Sequence, residues 1–127
     1  MTVLAFIVED HDLVRDALRD ALAEMSAVEV VGCAASASEA VVWLRRNPDA
    51  WDIVVIDLLL AHDSGLDVLK ACRSRRSTQR AVVLTSYGTS EMRRICAELG
   101  ADAVFDKSTE IDQLIAYCQE LPRNIIA

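Results

Sequence analysis

The chain lacks any apolar run approaching the roughly 18 to 20 residues that cross a bilayer, and its first ten residues run into carboxylates without the basic flank of a secretory signal. A membrane-spanning or exported protein is not expected, and the chain should stay in the cytoplasm. Cys33, Cys72, Cys96 and Cys118 form neither a Cys-x-x-Cys pair nor a Cys/His cluster with zinc spacing. They read as small buried hydrophobes. Positive charge is in short supply: the net charge is −7, which argues against direct binding to nucleic acid or anionic lipid, because such binding needs clustered cations. Internal repeats, low-complexity segments and interdomain linkers are also missing. At 127 residues, one compact domain spanning 1–127 is expected.

What is present is alternation. Short apolar runs at Val3 to Val8, Val28 to Val31, Ile53 to Ile56, Ala81 to Leu84 and Ala101 to Phe105 are each followed by a segment with helical spacing. Leu13, Val14, Ala17, Leu18, Ala21, Leu22 and Met25 form one stripe of the first helix. Ser36 and Glu39 match a capping box, and Asn47-Pro48 ends the second helix. Gly65 to Arg73 forms a third. Thr89 to Leu99 forms a fourth, stopped by Gly100, and the fifth starts at a Thr109 cap and stops at Pro122. Five strands alternating with five helices imply a doubly wound parallel sheet, a (βα)5 three-layer α/β sandwich.

In such a sheet ligands bind beyond the carboxyl ends of the strands, where the strand order reverses. The first strand ends in Glu9-Asp10, the third in Asp57 and the fourth in Thr85-Ser86, while the fifth runs into Lys107. Three carboxylates in one crevice repel each other unless a cation neutralises them. Oxygen ligands without thiol or imidazole suit a hard divalent ion, and one that retains waters and shares a phosphate oxygen is Mg²⁺. Lys107 adds a compact positive charge and Thr85 a hydroxyl donor. An attacking carboxylate, a metal and a cation are what phosphoryl transfer requires. Taken singly, each residue has a structural alternative: Glu9-Asp10 as a helix-capping pair, Asp57 as a turn residue, Thr85 as a strand-end hydroxyl and Lys107 as a solvated charge.

The runs Phe6-Ile7-Val8-Glu9-Asp10-His11, Val54-Val55-Ile56-Asp57-Leu58, Gly65-Leu66-Asp67-Val68-Leu69, Val82-Val83-Leu84-Thr85-Ser86 and Gly100-Ala101-Asp102 leading to Lys107 resemble the receiver domains of bacterial response regulators. The resemblance covers essentially the whole chain and implies the flavodoxin-like receiver fold of two-component signalling. It implies that Asp57 accepts a phosphoryl group from a sensor histidine kinase or a histidine phosphotransfer protein. It further implies that Asp10, Asp57 and the backbone carbonyl of Leu59 bind Mg²⁺ directly and Glu9 through water, that Thr85 is the switch hydroxyl, and that Lys107 binds the phosphoryl group. The face of the fourth helix, fifth strand and fifth helix would be the output surface, open to a partner protein or domain or to a phosphorylation-dependent homodimer.

The sequence departs from the family pattern at several points. Val104 stands where an aromatic three residues before the lysine is usual, which puts a rotating aromatic coupled to Thr85 in question. Ser108 replaces the common proline after the lysine, and Ala61 a frequent proline after the phosphorylation loop. Leu59 and Tyr87 occupy positions that tune phosphoryl lifetime, and their bulk implies slow dephosphorylation.

A phosphatase of the haloacid dehalogenase type would need an aspartate at position 59, and a flavodoxin-like cofactor binder a hydroxyl- and glycine-rich phosphate loop after the first strand. Neither is present. A pseudo-receiver acting only as an interaction module is disfavoured by Asp10, Asp57, Thr85 and Lys107. The N-terminal receiver piece of a longer DNA-binding regulator stays open beside a stand-alone receiver, although about five residues after the last expected helix leave no room for a further domain. His11, His62 and the arginines 73, 75, 76 and 80 read as solvated loop residues. Trp43 and Trp51 read as packing residues, and Arg93 and Arg94 as divided between solvent and partner contact.

Overall fold

The computed structural model describes the backbone of residues 2–25 and 27–126, with side chains as far as Leu121. The chain runs β1 (Val3–Val8), α1 (Asp12–Ala23), β2 (Val28–Ala34), α2 (Ala37–Arg46), β3 (Ile53–Ile56), α3 (Gly65–Ala71), β4 (Arg80–Thr85), α4 (Ser90–Glu98), β5 (Ala103–Asp106) and α5 (Ile111–Ile126). The strands form one parallel sheet in the order β2-β1-β3-β4-β5, so the direction of winding reverses between β1 and β3.

The period-two pleat sorts the strand residues into two cores. Phe6, Val8, Val54, Ile56, Ala81 and Val83 face α2, α3 and α4, where they meet Ala40, Leu44, Val68, Leu69 and Cys96. Val3, Ala5, Ile7, Ile53, Val55, Val82, Leu84 and Phe105 face α1 and α5, where they meet Leu18, Leu22, Leu114, Cys118 and Leu121. Every residue of β3 is buried, as a central parallel strand covered on both sides requires.

Most helix boundaries follow their caps. Ser36 Oγ accepts the Glu39 N–H at 3.1 Å, and Glu39 Oε2 reaches back to the Ala35 N–H at 3.2 Å, one residue beyond a standard capping box. Thr89 Oγ1 caps α4 through the Met92 N–H at 3.1 Å. Gly100, at φ 99°, takes the left-handed conformation that ends it.

Several boundaries differ from expectation: α3 ends at Ala71 rather than Arg73, and β5 starts at Ala103 rather than Ala101. β2 continues through Gly32 and Cys33 to Ala34, because pairing with Phe6, Ile7 and Val8 supplies a backbone ladder despite weak strand propensity. α5 begins after Glu110 rather than Thr109. It also runs through Pro122 to Ile126: a proline removes one helical hydrogen bond and favours a kink, and the backbone here continues beyond it.

Candidate functional site at the carboxyl ends of the strands

Parallel register decides which residues meet at the end of the sheet. Val8 pairs with Ile56, so Glu9 and Asp57 emerge side by side, and the Asp57 N–H donates to the Val8 carbonyl at 2.9 Å. Thr85 pairs with Asp106, and the Lys107 N–H donates to the Thr85 carbonyl at 2.9 Å, so Lys107 leaves β5 at the same level. This is the reversal point between β1 and β3, where a doubly wound sheet opens a crevice.

The loop after Asp57 is held in shape by glycine. The Gly65 N–H donates to the Leu58 carbonyl at 3.0 Å, and a Cβ at Gly65 would lie 2.1 Å from the Asp57 carbonyl oxygen. Only a residue without a side chain allows so close an approach. Within the loop, Leu59 bridges to Ser64 and its N–H donates to Asp57 Oδ1 at 3.2 Å.

Among the described residues, Glu9, Asp10 and Asp57 each bring a carboxylate oxygen within 4.8 Å of the others. Glu9 and Asp57 are buried and Asp10 is half-buried. Lys107 Nζ donates to Asp57 Oδ2 at 3.0 Å and also to Glu9 Oε1. Burial opposes the charge on Lys107, but its hydrogen bonds and ion pairs with Glu9 and Asp57 outweigh that penalty and hold its pKa above the ordinary lysine value. In their ionised forms, three carboxylates against one ammonium leave two negative charges uncompensated. An all-oxygen donor set with that deficit could hold a hard divalent cation. Thr85 is fully buried, and its Oγ1 accepts the Tyr87 N–H at 3.1 Å, so its own hydroxyl proton is free to be donated.

The model for the response regulator receiver domain matches residues 5–119. The chain belongs to the receiver-domain family of response regulators. Among curated relatives, this receiver is 37% identical over 90 residues to the DNA-binding transcriptional activator DevR/DosR of Mycobacterium tuberculosis, covering 70% of the chain and 40% of that protein. It is 33% identical to the acid tolerance regulatory protein ActR of Rhizobium meliloti, covering 94% of the chain and 59% of that protein. The chain thus spans between two fifths and three fifths of these relatives' lengths. Among solved structures, a LuxR-family two-component response regulator from Aurantimonas superposes with a TM-score of 0.83 at 27% identity, over 99% of the chain and 86% of that structure. The signal receiver domain of a NarL response regulator from M. tuberculosis gives a TM-score of 0.83 at 20% identity, over 96% and 97% respectively, and speaks to the fold alone.

The receiver brings Glu9, Asp10, Asp57 and Lys107 together at one point, with Thr85 on the adjoining strand end. Other expectations are met at some residues and revised at others. His11 is exposed but not idle: its Nδ1 accepts the Val14 N–H at 3.4 Å as the cap of α1, while Glu9 Oε2 accepts the N–H of His11 itself at 3.3 Å. His62 is exposed. Arg75 is no solvated loop charge: it donates to the carbonyls of Cys72, Gln79 and Gly100 and pairs with Asp102 at 2.7 Å. Arg80 opens β4 and donates to the Ser77 carbonyl. Trp43 stacks on Phe6 with centroids 4.1 Å apart, and Trp51 is buried. Cys72, Cys96 and Cys118 are buried as expected, whereas Cys33 is half-buried and its Sγ accepts from Arg19 at 2.9 Å. Arg94 pairs on the surface with Glu98, while Arg93 is absorbed into the fold.

Phe105 offers no substitute for the missing aromatic. It points into the core shared with α1 and α5 and meets Tyr117 edge-on at 5.7 Å, on the opposite side of the sheet from Val104. Sequence reading also passed over Asp63, whose carboxylate accepts the N–H groups of Ala37 and Ser38 and so ties the loop after Asp57 to the start of α2. A further aspartate in the loop after Asp57 is a faint signal, since its partners lie 26 and 25 residues away.

Proposed function

We propose that this receiver takes a phosphoryl group onto Asp57 from a phosphohistidine on a sensor histidine kinase or a phosphotransfer protein. The observation that carries the reading is the buried Asp57 carboxylate, bonded to Lys107 inside a carboxylate cluster that is two positive charges short. An Asp57 oxygen attacks phosphorus, the P–N bond breaks, and the imidazole nitrogen leaves with the electron pair and keeps or gains one proton. The chain supports its own phosphorylation by positioning and charge rather than by a further nucleophile.

The donor set fits Mg²⁺: Asp10, Asp57 and the Leu59 carbonyl would hold it directly and Glu9 through a water. When bound, Mg²⁺ neutralises the clustered carboxylates and the charge on the transferring phosphoryl oxygens. Lys107 supplies the compact positive charge that a phosphoryl oxygen meets once Asp57 Oδ2 is phosphorylated or displaced. Thr85 donates its free proton to another phosphoryl oxygen, which favours one of two pre-existing arrangements of the output surface. Leu59 and Tyr87 stand two residues past Asp57 and Thr85, and side chains of their bulk at those positions would hinder an attacking water, so autodephosphorylation is slow.

A second reading concerns the output. The curated relatives are longer and include a DNA-binding activator, which favours this chain as the receiver part of a transcriptional regulator, with the domain over 1–127 controlling a separate module. The primary test is labelling by phosphoramidate with Mg²⁺, read by intact mass. Wild type gains one phosphoryl group and Asp57→Asn none. An unlabelled wild type, or equal labelling of the variant, rejects the reading.

A further inference from the structure

With Val104 in place of an aromatic and Phe105 facing the other core, a phosphoryl group at Asp57 needs another route to the α4, β5 and α5 face. A single arginine on α4 touches the loop after β4, β5 and the residue that precedes α5. Arg93 Nε donates to the Gly88 carbonyl at 2.9 Å, Nη1 to the Val104 carbonyl at 2.8 Å and Nη2 to Glu110 Oε1 at 2.5 Å. Glu110 Oε1 also accepts the Asp106 N–H at 2.8 Å, so one carboxylate oxygen joins the guanidinium to the end of β5 and the entrance to α5. The loop after β4, β5 itself and the start of α5 thereby share one rigid fork.

We infer that Arg93 is the positioning residue that couples the Thr85 loop to the α4, β5 and α5 face, in the role the absent aromatic would have filled. Thr85 Oγ1 holds the Tyr87 N–H, and Gly88 follows Tyr87 directly. A Thr85 hydroxyl drawn toward a phosphoryl oxygen therefore shifts the segment that carries the Gly88 carbonyl. The planar guanidinium cannot follow that carbonyl and keep its other two bonds unchanged, because its donors lie in fixed directions. Gly88 fits this arrangement: a Cβ there would come within 3.0 Å of Arg93 Nη2 and 3.3 Å of Asp106 Oδ2. The bond from Arg93 also holds the Glu110 carboxyl below the ordinary glutamate range, so the pair is charged at neutral pH. The inference rests on Asp57 as the acceptor, and it names the residue that transmits the event.

The test compares phosphoramidate-labelled and unlabelled protein by hydrogen exchange over residues 88–93 and 103–110, with labelling measured by intact mass on the same samples. In wild type, labelling changes exchange in both segments by at least about fivefold, the lower range of allosteric coupling. In Arg93→Ala, labelling proceeds to the same extent, and the change over 103–110 falls below about twofold. Arg93→Lys keeps the charge without the fork and should also lose most of the response, which keeps the test decisive if the alanine variant folds poorly. An arginine with a merely structural role would raise exchange equally in labelled and unlabelled protein and preserve their ratio. That result overturns the inference, as does a wild type that labels without any change over 103–110. A wild type that does not label at all removes the acceptor reading first and this inference with it.

Discussion

The two ends of the sheet handle polar groups in opposite ways. At the amino end of β4 the network is closed around Gln79, which is 2% exposed, donates to the carbonyls of Pro48 and Trp51 and accepts the Arg76 N–H, although the buried Trp51 Nε1 finds no partner among the described residues. Beside it, Asp102 accepts from both Arg75 and the Ala81 N–H, and Asp52 accepts the Leu4 N–H. At the carboxyl end, Glu9 and Asp57 share the Lys107 ammonium, and together with Asp10 the ionised cluster remains two charges short. Buried polar groups that find their partners rigidify a fold, whereas an unbalanced cluster stays ready for a ligand that completes it. One end locks the sheet, and the other gathers a carboxylate set that could hold a cation.

Substitutions can break this contrast from either side. The largest effect is expected from Gly65→Ala, whose Cβ would meet backbone at 2.1 Å and force the acceptor loop to move. Denaturant unfolding should show a loss of at least about 3 kcal/mol, beyond ordinary overpacking, with labelling of Asp57 impaired in whatever remains folded. At the closed end, Gln79→Ala strands two carbonyls and one N–H and should lower stability by roughly 2–3 kcal/mol while leaving labelling intact in the folded fraction.

At the open end, Mg²⁺ at ten times its dissociation constant should stabilise wild type by about 1.4 kcal/mol. Asp10→Asn should lose most of that gain. Asp57→Asn removes one of three repelling carboxylates together with one bond to Lys107, so in metal-free buffer its stability should stay within about 1 kcal/mol of wild type. A loss as large as that of Gln79→Ala would show that the open end, too, is built for stability.

The smallest effect concerns acid. Ser108 holds the Asp106 carboxyl below its ordinary range through its hydroxyl and N–H, and Arg93 does the same for Glu110. Folded values that lie below the unfolded ones stabilise above the unfolded pKa, and that contribution is lost as pH falls through the folded values. Unfolding followed from neutral pH down through the carboxylate range should therefore show a slightly steeper loss in wild type than in Arg93→Ala.

What sequence could and could not reveal follows the range of each interaction. The apolar runs of β3 and β4, the cap at Ser36 and the stop at Gly100 are local patterns, and they placed the layers correctly. Glu9, Asp10, Asp57, Thr85 and Lys107 were legible because a parallel sheet gathers whatever follows its strands at one end. Gly32 to Ala34 were missed because β1, and not their own propensity, makes them a strand. Arg75 and Arg93 were misjudged because their acceptors include main-chain carbonyls and carboxylates 11 to 27 residues away, to which composition gives no clue. Capping by His11 was hidden by the more usual capping carboxylates just before it.

The most direct measurement asks where the phosphoryl group sits. Labelled protein treated with borohydride converts an acyl-phosphorylated aspartate to homoserine, which peptide sequencing by mass spectrometry can locate. Homoserine at position 57, dependent on Mg²⁺, is the expected result. Homoserine at position 10, or label retained elsewhere with position 57 unmodified, would contradict the account.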